Sequence, residues 1–233
     1  MMSQFLISDM LLPVWVSIKL ASITTLCLLL FATPLAYWLA KPSRGNIVGR
    51  IKIILMRIIA MPLVLPPTVI GFYLLLLLSP SVGIGQWLIE HNISPLVFTF
   101  EGLVIGSIIY SLPFYIQPVY AQFLRIPQSV MEVASLLEPS RLRRFIKIVL
   151  PQARIGIILG GLISFAHTIG EFGVVLMIGG SISGETKVVS IAIYEQVEAL
   201  NYEAAHLMSG ILIIMGVIMV ALIAAVSRLN QRP

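Results

Sequence analysis

The chain has 233 residues, of which 58% are hydrophobic and only 11% carry a charge. Soluble domains are about one quarter charged, so this composition excludes an ordinary water-soluble globule. A net charge of +5 would suggest nucleic-acid binding in a soluble protein. In so apolar a chain the positions of the charges matter more than their sum, and we expect no nucleic-acid partner. The single cysteine, Cys27, excludes an internal disulfide and a cysteine-rich metal site.

Five apolar blocks are long enough to cross a bilayer, for which about 20 residues suffice. They run from about Val14 to Ala40, Ile58 to Leu78, Leu96 to Phe123, Ile155 to Ile178 and Met208 to Val226. The N-terminal stretch has no basic region and no small-residue cleavage pattern, so we expect a retained first span rather than a signal peptide. The sequence therefore predicts an all-α, polytopic membrane helical bundle with about five transmembrane helices, which forms a single domain over residues 1–233.

Lysine and arginine residues concentrate in alternate connections between these blocks. The connections at 41–57 and 125–154 and the C-terminal tail hold five, six and two of the 15 basic residues, which marks all three as cytoplasmic. The connections at 79–95 and 181–207 hold one basic residue, Lys187, and five glutamates. This pattern predicts that the N-terminus lies outside and the C-terminus inside, as an odd number of spans requires.

Proline and glycine residues are frequent within the predicted spans. Broken helices are tolerated in lipid only where protein or water satisfies the freed backbone groups. The pattern fits two interpretations, which are close helix packing through small residues and a translocation path lined by kinked helices. The residues are Pro62, Pro66, Pro67, Pro113, Pro118, Gly156, Gly160 and Gly161.

Motifs of catalysis are missing from the sequence. It contains no glycine-rich phosphate loop ending in Gly-Lys-Ser/Thr, no His-Glu-x-x-His and no cysteine pair, and its three histidines are far apart. We therefore expect no catalytic residue, no metal site and no cofactor.

The cytoplasmic connection at about 125–154 predicts a short helix outside the membrane. Ser129 and Glu132 have the spacing of a capping box, and Pro139 ends the helix and favours extended geometry at Glu138. Such a helix packs on a partner protein, on its own chain or on the bilayer, and periodicity alone leaves these alternatives open. Its apolar stripe, spaced i, i+3, i+4 and i+7, consists of Val130, Val133, Ala134 and Leu137.

This connection resembles the EAA signature of bacterial ABC-importer permeases, written E-A-A-x3-G-x9-I-x-L-P. The matching parts are Glu132-Val133-Ala134, Glu138 and Ile148-Val149-Leu150-Pro151, with Val133 in place of the second residue and Glu138 in place of the turn glycine. The resemblance implies the ABC type I importer permease fold and a helix that ATPase subunits contact. The implied ATPase-coupling residues are Ser129, Val130, Glu132, Val133, Ala134, Leu137 and Glu138.

Further segments are similar to molybdate permeases, a family close to sulfate/thiosulfate permeases. They are 61–71 (MPLVLPPTVIG), 170–173 (GEFG), 182–186 (ISGET), 188–195 (VVSIAIYE) and 197–200 (VEAL). The family implies a homodimer in the bacterial inner membrane, cytoplasmic ABC ATPase subunits and a periplasmic molybdate-binding protein. It also implies import by alternating access, with ATP hydrolysed by the separate subunits. The basic inner connections add membrane lipid as a partner, because they attract anionic head groups.

Glu171 is the one carboxylate predicted well inside a span, where a charge costs at least about 2.5–3.5 kcal/mol. We therefore expect it to face the protein interior or water, and to pair with His167 one helical turn earlier. Both residues are candidates for a gate or latch in the pathway, and the alternative is a purely structural role in helix packing. Charge repulsion argues against direct binding of an oxyanion by Glu171.

Two hydroxyl groups are candidates for contact with an oxyanion on its way through the membrane. Thr68 follows Pro66 and Pro67, and Ser111 precedes Pro113, so both lie where a kinked helix can free backbone N–H groups. The alternative is that each hydroxyl bonds the backbone of its own helix.

Three other readings of the whole chain stay open at this point. One is an importer of sulfate or another oxyanion with the same architecture. A second is an ATP-independent secondary transporter or channel, which usually has an internal repeat or several charged groups within its spans. A third is an intramembrane enzyme, which the absence of a nucleophile–base or metal-ligand set disfavours.

Overall fold

The computed structural model describes the backbone of residues 2–43 and 47–229 and the side chains of residues 10–43 and 47–228. Every regular element in these ranges is helical, which confirms the predicted all-α class. Arg44 and Arg232, two of the basic residues used to predict orientation, lie outside the described residues.

The helices follow one another through short connections. A 3-10 turn at Met61–Leu63 and a π-helical turn at Phe145–Val149 interrupt the α-helical series. The α-helices are α1 (Met2–Ala40), α2 (Ile47–Ala60), α3 (Pro67–Leu78), α4 (Gly83–Glu90), α5 (Phe100–Leu124), α6 (Gln128–Leu137), α7 (Arg141–Arg144), α8 (Leu150–Gln152), α9 (Arg154–Ile169), α10 (Gly173–Gly179), α11 (Val189–Glu198) and α12 (Tyr202–Leu229).

Four helical stretches of the described chain are long and apolar enough to cross a membrane, in agreement with the predicted number of about five. A fifth crossing results if Arg141–Gln152 and Arg154–Ile169, which meet at an angle of 74°, count as one bent span. The four stretches are Met10–Ala40, Pro67–Glu90, Phe100–Leu124 and Tyr202–Arg228.

Two of the predicted spans are not continuous helices. The block at 58–78 is broken because Pro66, which has no N–H and adopts φ −56° and ψ 138°, separates the 3-10 turn from α3. The block at 155–178 is broken at residues 170–172, between α9 and α10. Within the predicted connections, α4 and α11 are additional short helices.

Helices α1, α5 and α9 form the centre of the bundle. Thr33 on α1 and Tyr115 on α5 share a buried hydrogen bond of 2.7 Å between their hydroxyl groups. Helix α9 approaches α5 so closely that a Cβ atom on Gly160 would lie 2.9 Å from the carbonyl oxygen of Tyr115, and one on Gly156 would lie 2.9 Å from that of Pro118. At these two glycines the close-packing interpretation is confirmed.

Helix α12 is attached at the edge of this centre. Only 6% of its most apolar window is buried, so the helix presents its hydrophobic side chains outward along almost its whole length. A face of this size is suited to lipid or to another membrane helix rather than to water. Its most exposed large side chains include Ile213, Ile214, Val217, Ile218 and Val220.

The two basic inner connections meet at one end of the bundle. Lys41 lies within electrostatic range of Arg141 and Arg144, and the ring of Tyr37 packs against that of Phe145 with centroids 5.0 Å apart. The connections at 41–57 and 125–154 therefore share an end, as the charge pattern predicts. That this end is cytoplasmic stays a prediction.

Candidate functional site

Helix α6, at the basic end of the bundle, begins differently from its predicted capping box. The carbonyl oxygen of Pro127 accepts the N–H groups of Val130 (3.1 Å) and Met131 (3.4 Å), so the helix begins at Gln128. Ser129 is then inside the helix, where its hydroxyl caps no N–H group, and the capping-box prediction is wrong. Glu132 instead accepts a hydrogen bond of 3.0 Å from the side-chain amide of Gln128.

The end of α6 needs no glycine. Glu138 adopts φ −136° and ψ 96°, an extended conformation that any residue can take, and its N–H donates to the carbonyl of Ala134 at 3.1 Å. Pro139 follows directly and favours this geometry. The replacement of the signature glycine by Glu138 therefore leaves the turn intact.

The residues of the apolar stripe of α6 differ in exposure. All four line a cavity of about 360 Å³ beside Ile148 of the π-helical turn. Ala134 is 2% exposed, whereas Val133 is 53% exposed and Leu137 is 74% exposed. The stripe thus runs beside the π-helical turn, and Val133 and Leu137 also remain open to another surface.

Leu136 is exposed like Val133 and Leu137 and is missing from the predicted coupling residues. It is 83% exposed, and it follows Val133 by three positions, so both side chains lie on the same side of the helix. The i, i+3 spacing from Val133 was the signal that could have identified it. We call Val133, Leu136 and Leu137 the coupling face.

A second candidate region lies in the bundle interior, where α5 and α9 run antiparallel. Ser107 donates to Glu171 Oε2 at 2.8 Å, and Ser111 Oγ lies 2.9 Å from His167 Nδ1. The two serines are one turn apart, as are their two partners. Glu171 and His167 therefore each bond a serine of α5, and the predicted pairing between them is wrong. We call this row of contacts the polar seam.

The hydrogen bonds around Ser111 have one consistent direction. Thr168 Oγ1 donates to the carbonyl of Ser164 (2.9 Å), so the single hydroxyl proton of Ser111 goes to Thr168 (2.9 Å). His167 must then carry its proton on Nδ1 and donate to Ser111. The ring of His167 also stacks on Phe114, with centroids 3.9 Å apart. The stacking and the hydrogen bond to Ser111 together hold the orientation of the ring.

Glu171 lies in the break between α9 and α10 and is only 3% exposed, which confirms that it faces the protein interior. Its backbone carbonyl accepts a hydrogen bond of 2.6 Å from Ser190 on α11. Its second carboxylate oxygen, Oε1, is buried and has no partner among the described side chains. Glu171 therefore joins α5 and α11 to an interrupted span.

The start of α3 faces the same break. A Cβ atom on Gly173 would lie 2.8 Å from Cβ of Pro67 and 3.2 Å from the backbone nitrogen of Thr68. Pro66 and Thr68, which flank Pro67, are both exposed. The structure thus brings Pro67 beside the break and leaves Thr68 outside the polar seam.

Ser111 and Pro113 lie within α5, which continues through both residues. Both are buried, and the Ser111 hydroxyl bonds α9 instead of its own helix. Over residues 2–43 and 47–229, no group of three or more His, Cys, Asp or Glu residues could hold a metal ion.

The bundle, with its interrupted spans and its helix α6 at the basic end, has the fold of an ABC importer permease. It is similar to the inward-facing MetNI methionine ABC transporter, with a TM-score of 0.69, 14% sequence identity and coverage of 96% of this chain and 97% of that chain. A bacterial alginate ABC transporter chain gives a TM-score of 0.66 at 18% identity, covering 94% of this chain and 79% of that one.

Residues 32–232 match the family described as the binding-protein-dependent transport system inner membrane component, and the chain belongs to this family. It is 46% identical over 194 residues to the molybdenum transport system permease protein ModB of Azotobacter vinelandii, covering 83% of this chain and 84% of that protein. It is 32% identical over 197 residues to the putative molybdenum transport system permease protein YvgM of Bacillus subtilis, with 83% of each covered. For the sulfate transport system permease protein CysW of Escherichia coli the identity is 33% over 178 residues, covering 76% of this chain and 59% of that protein.

Proposed function

We propose that this chain is the membrane-spanning subunit of an ATP-driven importer that carries molybdate across the inner membrane. We infer the class, an ATP-driven importer subunit, from the exposed coupling face of α6 at the basic end of the bundle. The cargo is inferred from the 46% identity to a molybdenum permease over most of both chains.

The coupling face fits an ATPase subunit as its partner. Three large apolar side chains on one side of a helix outside the spans are suited to a groove on another protein, in the manner of helix-in-groove recognition. Ser129, Glu132 and Glu138 lie around this face and form the polar rim of the contact. Closure of the ATPase pair on ATP binding then displaces α6, and Ala134, which lines a cavity together with Ile148, transmits the displacement to the bent span.

A second copy of this chain completes the pathway in our proposal. Pro66 and Thr68 are exposed in the single chain, beside the break that Glu171 occupies. Facing copies would bring these surfaces together and enclose the path between them. The exposed Thr68 hydroxyl can then contact the oxyanion, whereas the Ser111 hydroxyl is already hydrogen-bonded within the polar seam.

Glu171 and His167 act in this scheme as a latch rather than as ligands of the cargo. Their hydrogen bonds to Ser107 and Ser111 hold the interrupted span against α5. The carboxylate of Glu171 would repel an oxyanion if it faced the path directly. The chain supplies no catalytic group of its own, and the energy comes from ATP hydrolysis in separate subunits.

Reconstitution tests this proposal. The chain is co-expressed with its ABC ATPase, placed in proteoliposomes and supplied with a molybdate-binding protein and ATP. We expect molybdate uptake that requires ATP, together with ATPase turnover that rises when the loaded binding protein is added. Full uptake by the chain alone, without nucleotide, would contradict the importer assignment.

Sulfate is the second candidate cargo, because the chain is also 33% identical to a sulfate permease. Competition in the same proteoliposomes separates the two. If molybdate is the cargo, an excess of tungstate competes with uptake and an equal excess of sulfate does not. Equal competition by sulfate would favour the second candidate.

A further inference from the structure

A cavity of about 480 Å³ lies between the end of α1, helix α2 and Tyr120 of α5. Three cations line it, Lys41, Lys52 and Arg57, and its other walls include the apolar side chains of Leu39, Ile53 and Met56. The cavity therefore combines positive charge with hydrophobic surface at the end of a membrane-spanning helix.

Lys52 is the most constrained of these cations. It is 8% exposed, its ammonium group donates to the carbonyl of Lys41 at 2.7 Å, and it lies 5.0 Å from the ring centroid of Trp38. Within the described chain no carboxylate lies within ion-pair distance of it. The ammonium group thus has a neutral carbonyl and an aromatic ring as partners but no counter-ion, which an anion in the cavity would supply.

Lys41 also lies near three other cations. Its pKa is held below the usual value, first by partial burial and then by the charges of Arg141, Arg144 and Lys52. The sequence has no acidic residue between Asp9 and Glu90, so neither α2 nor its flanks can neutralise this charge.

One carboxylate shares a neighbouring cavity with Lys41. It is Glu132 of α6, whose Oε1 is bonded to Gln128 and which makes no ion pair with Lys41 in the structure described above. The positive charge of the cavity thus remains without an internal counter-ion.

We propose that this cavity binds the phosphate group of an anionic phospholipid from the adjacent membrane leaflet. The three cations meet the phosphate, and the apolar wall meets the start of the acyl chains. The outer side of α2 supports this assignment, because Ile51, Ile54 and Ile58 are exposed on the helix that also carries Lys52 and Arg57. Such a helix lies in the interface plane of a bilayer with its apolar side in the lipid.

The test uses the full chain with its ATPase subunits in nanodiscs made of phosphatidylcholine alone or of phosphatidylcholine with phosphatidylglycerol. Native mass spectrometry counts retained lipid, and thermal unfolding measures stabilisation. We expect phosphatidylglycerol to be retained and to raise the unfolding midpoint. Lys52→Gln should weaken retention about fivefold, the effect of the roughly 1 kcal/mol that one Lys or Arg contributes near an anionic surface.

Two further variants keep the result interpretable. Arg57→Gln removes an exposed cavity cation and should weaken retention by a similar factor, even if Lys52→Gln fails to fold. Arg50→Gln is the matched control, because it removes one charge from the same helix at an exposed position that does not line the cavity. It should leave retention within about twofold of the parent, since it changes only the diffuse field near the membrane.

Three outcomes would overturn the proposal. Equal loss of retention in Arg50→Gln and Arg57→Gln would mean a diffuse charge effect without a site. Stabilisation by inorganic phosphate or molybdate in phosphatidylcholine nanodiscs, equal to that by phosphatidylglycerol, would assign the cavity to a free oxyanion. If neither phosphatidylglycerol nor a free oxyanion changes the unfolding midpoint, the cavity does not bind a phospholipid phosphate. These experiments measure lipid retention and stability, whereas the proposed function is tested by ATP-dependent uptake in proteoliposomes, so each proposal fails on its own measurement.

Discussion

Helix α6 and the polar seam solve opposite physical problems. Helix α6 keeps Leu136 and Leu137 exposed, although burial is the favourable state of a leucine side chain. The seam buries Glu171 and Ser107, although polar groups are favoured in water. The seam pairs Ser107 with Glu171 and Ser111 with His167 and Thr168, and α6 leaves Val133, Leu136 and Leu137 exposed. The difference indicates that the seam stabilises this chain internally, whereas the exposed side of α6 fits the contact with a second protein that we propose.

A larger side chain at the close contact between α5 and α9 should have the largest effect on stability. In Gly160→Val the new side chain meets the carbonyl of Tyr115 and the side chain of Val119, so α9 must move outward. We expect a loss of about 3 kcal/mol or more of stability, as for severe overpacking, and a strongly reduced yield of folded protein. Thermal unfolding in detergent measures it. The control is Gly216→Val on α12, where a Cβ atom meets nothing within 4 Å, and an equal loss there would refute the packing argument.

A charge on the coupling face should separate transport from folding. Leu137→Asp places a carboxylate where an apolar partner is proposed, and we expect ATP-dependent uptake to fall about 30-fold, equivalent to roughly 2 kcal/mol. The unfolding midpoint should not change, because Leu137 is mostly exposed. Ala134 is unsuitable for this test because it is buried.

Ser135→Asp is the matched control for Leu137→Asp. It adds the same charge to α6 at an exposed position on the opposite side of the helix from the coupling face. Uptake by Ser135→Asp should stay near that of the parent. Uptake lost equally in both variants would argue against a defined coupling face.

Breaking one hydrogen bond of the seam should have a moderate effect. Ser107→Ala removes the hydroxyl that donates to Glu171 and leaves a buried carboxylate without its donor. We expect a loss of about 1–2 kcal/mol in stability. Ser164→Ala is the control, because that buried hydroxyl has no partner within the described ranges and its removal should be nearly neutral. If both variants behave alike, the Ser107–Glu171 bond does not hold the span.

The hydrogen-bonded pair of Ser107 and Glu171 also allows a test of the proposed latch. Glu171→Gln keeps an acceptor for Ser107 while removing the carboxylate charge. If Glu171 acts as a latch in the transport cycle, we expect a changed uptake rate with an almost unchanged unfolding midpoint. Normal transport by this variant would assign Glu171 to helix packing alone.

An ion pair near the surface, between Lys187 and Glu195, should have only a small effect on stability. The ammonium group of Lys187 lies 2.6 Å from the carboxylate of Glu195. Partial burial raises the pKa of Glu195, but the hydrogen bonds from Lys187 and Ser181 and the charge of Lys187 together lower it more, so the pKa lies below the usual 4.5. A lowered pKa stabilises the folded state above pH 4.5, and this contribution is lost as the pH falls through the folded-state pKa. Lys187→Gln should therefore cost less than about 1 kcal/mol near neutral pH. Thermal unfolding should find a smaller cost in acid, and a cost that grows in acid would contradict the assignment.

Local patterns in the sequence predicted much of the fold. The apolar blocks identified the membrane-spanning helices because about 20 apolar residues in succession have few other uses. The i, i+3, i+4, i+7 spacing and Pro139 predicted α6 and its end correctly. The capping box failed because Pro127 supplies the first helical carbonyl, which moves Ser129 inside the helix.

Contacts between distant segments were beyond such patterns. Ser107 and Glu171 are 64 residues apart, and nothing in the vicinity of either residue identifies the other. The helical stripe at Val130, Val133, Ala134 and Leu137 did not reveal which side α6 turns toward its own chain, and Leu136 was therefore overlooked. That information resides in the burial of Ala134, which only the folded chain provides.

The 74° angle between the two halves of the bent span has a geometric consequence. Helix α9 is 16 residues long, or about 24 Å at 1.5 Å per residue. A swing of only about 5° around Ala153 would carry its far end through about 2 Å, enough to stretch a hydrogen bond beyond its working length. Leverage of this kind would let a small displacement at the α6 end of the bundle open the Ser107–Glu171 bond in the bundle interior.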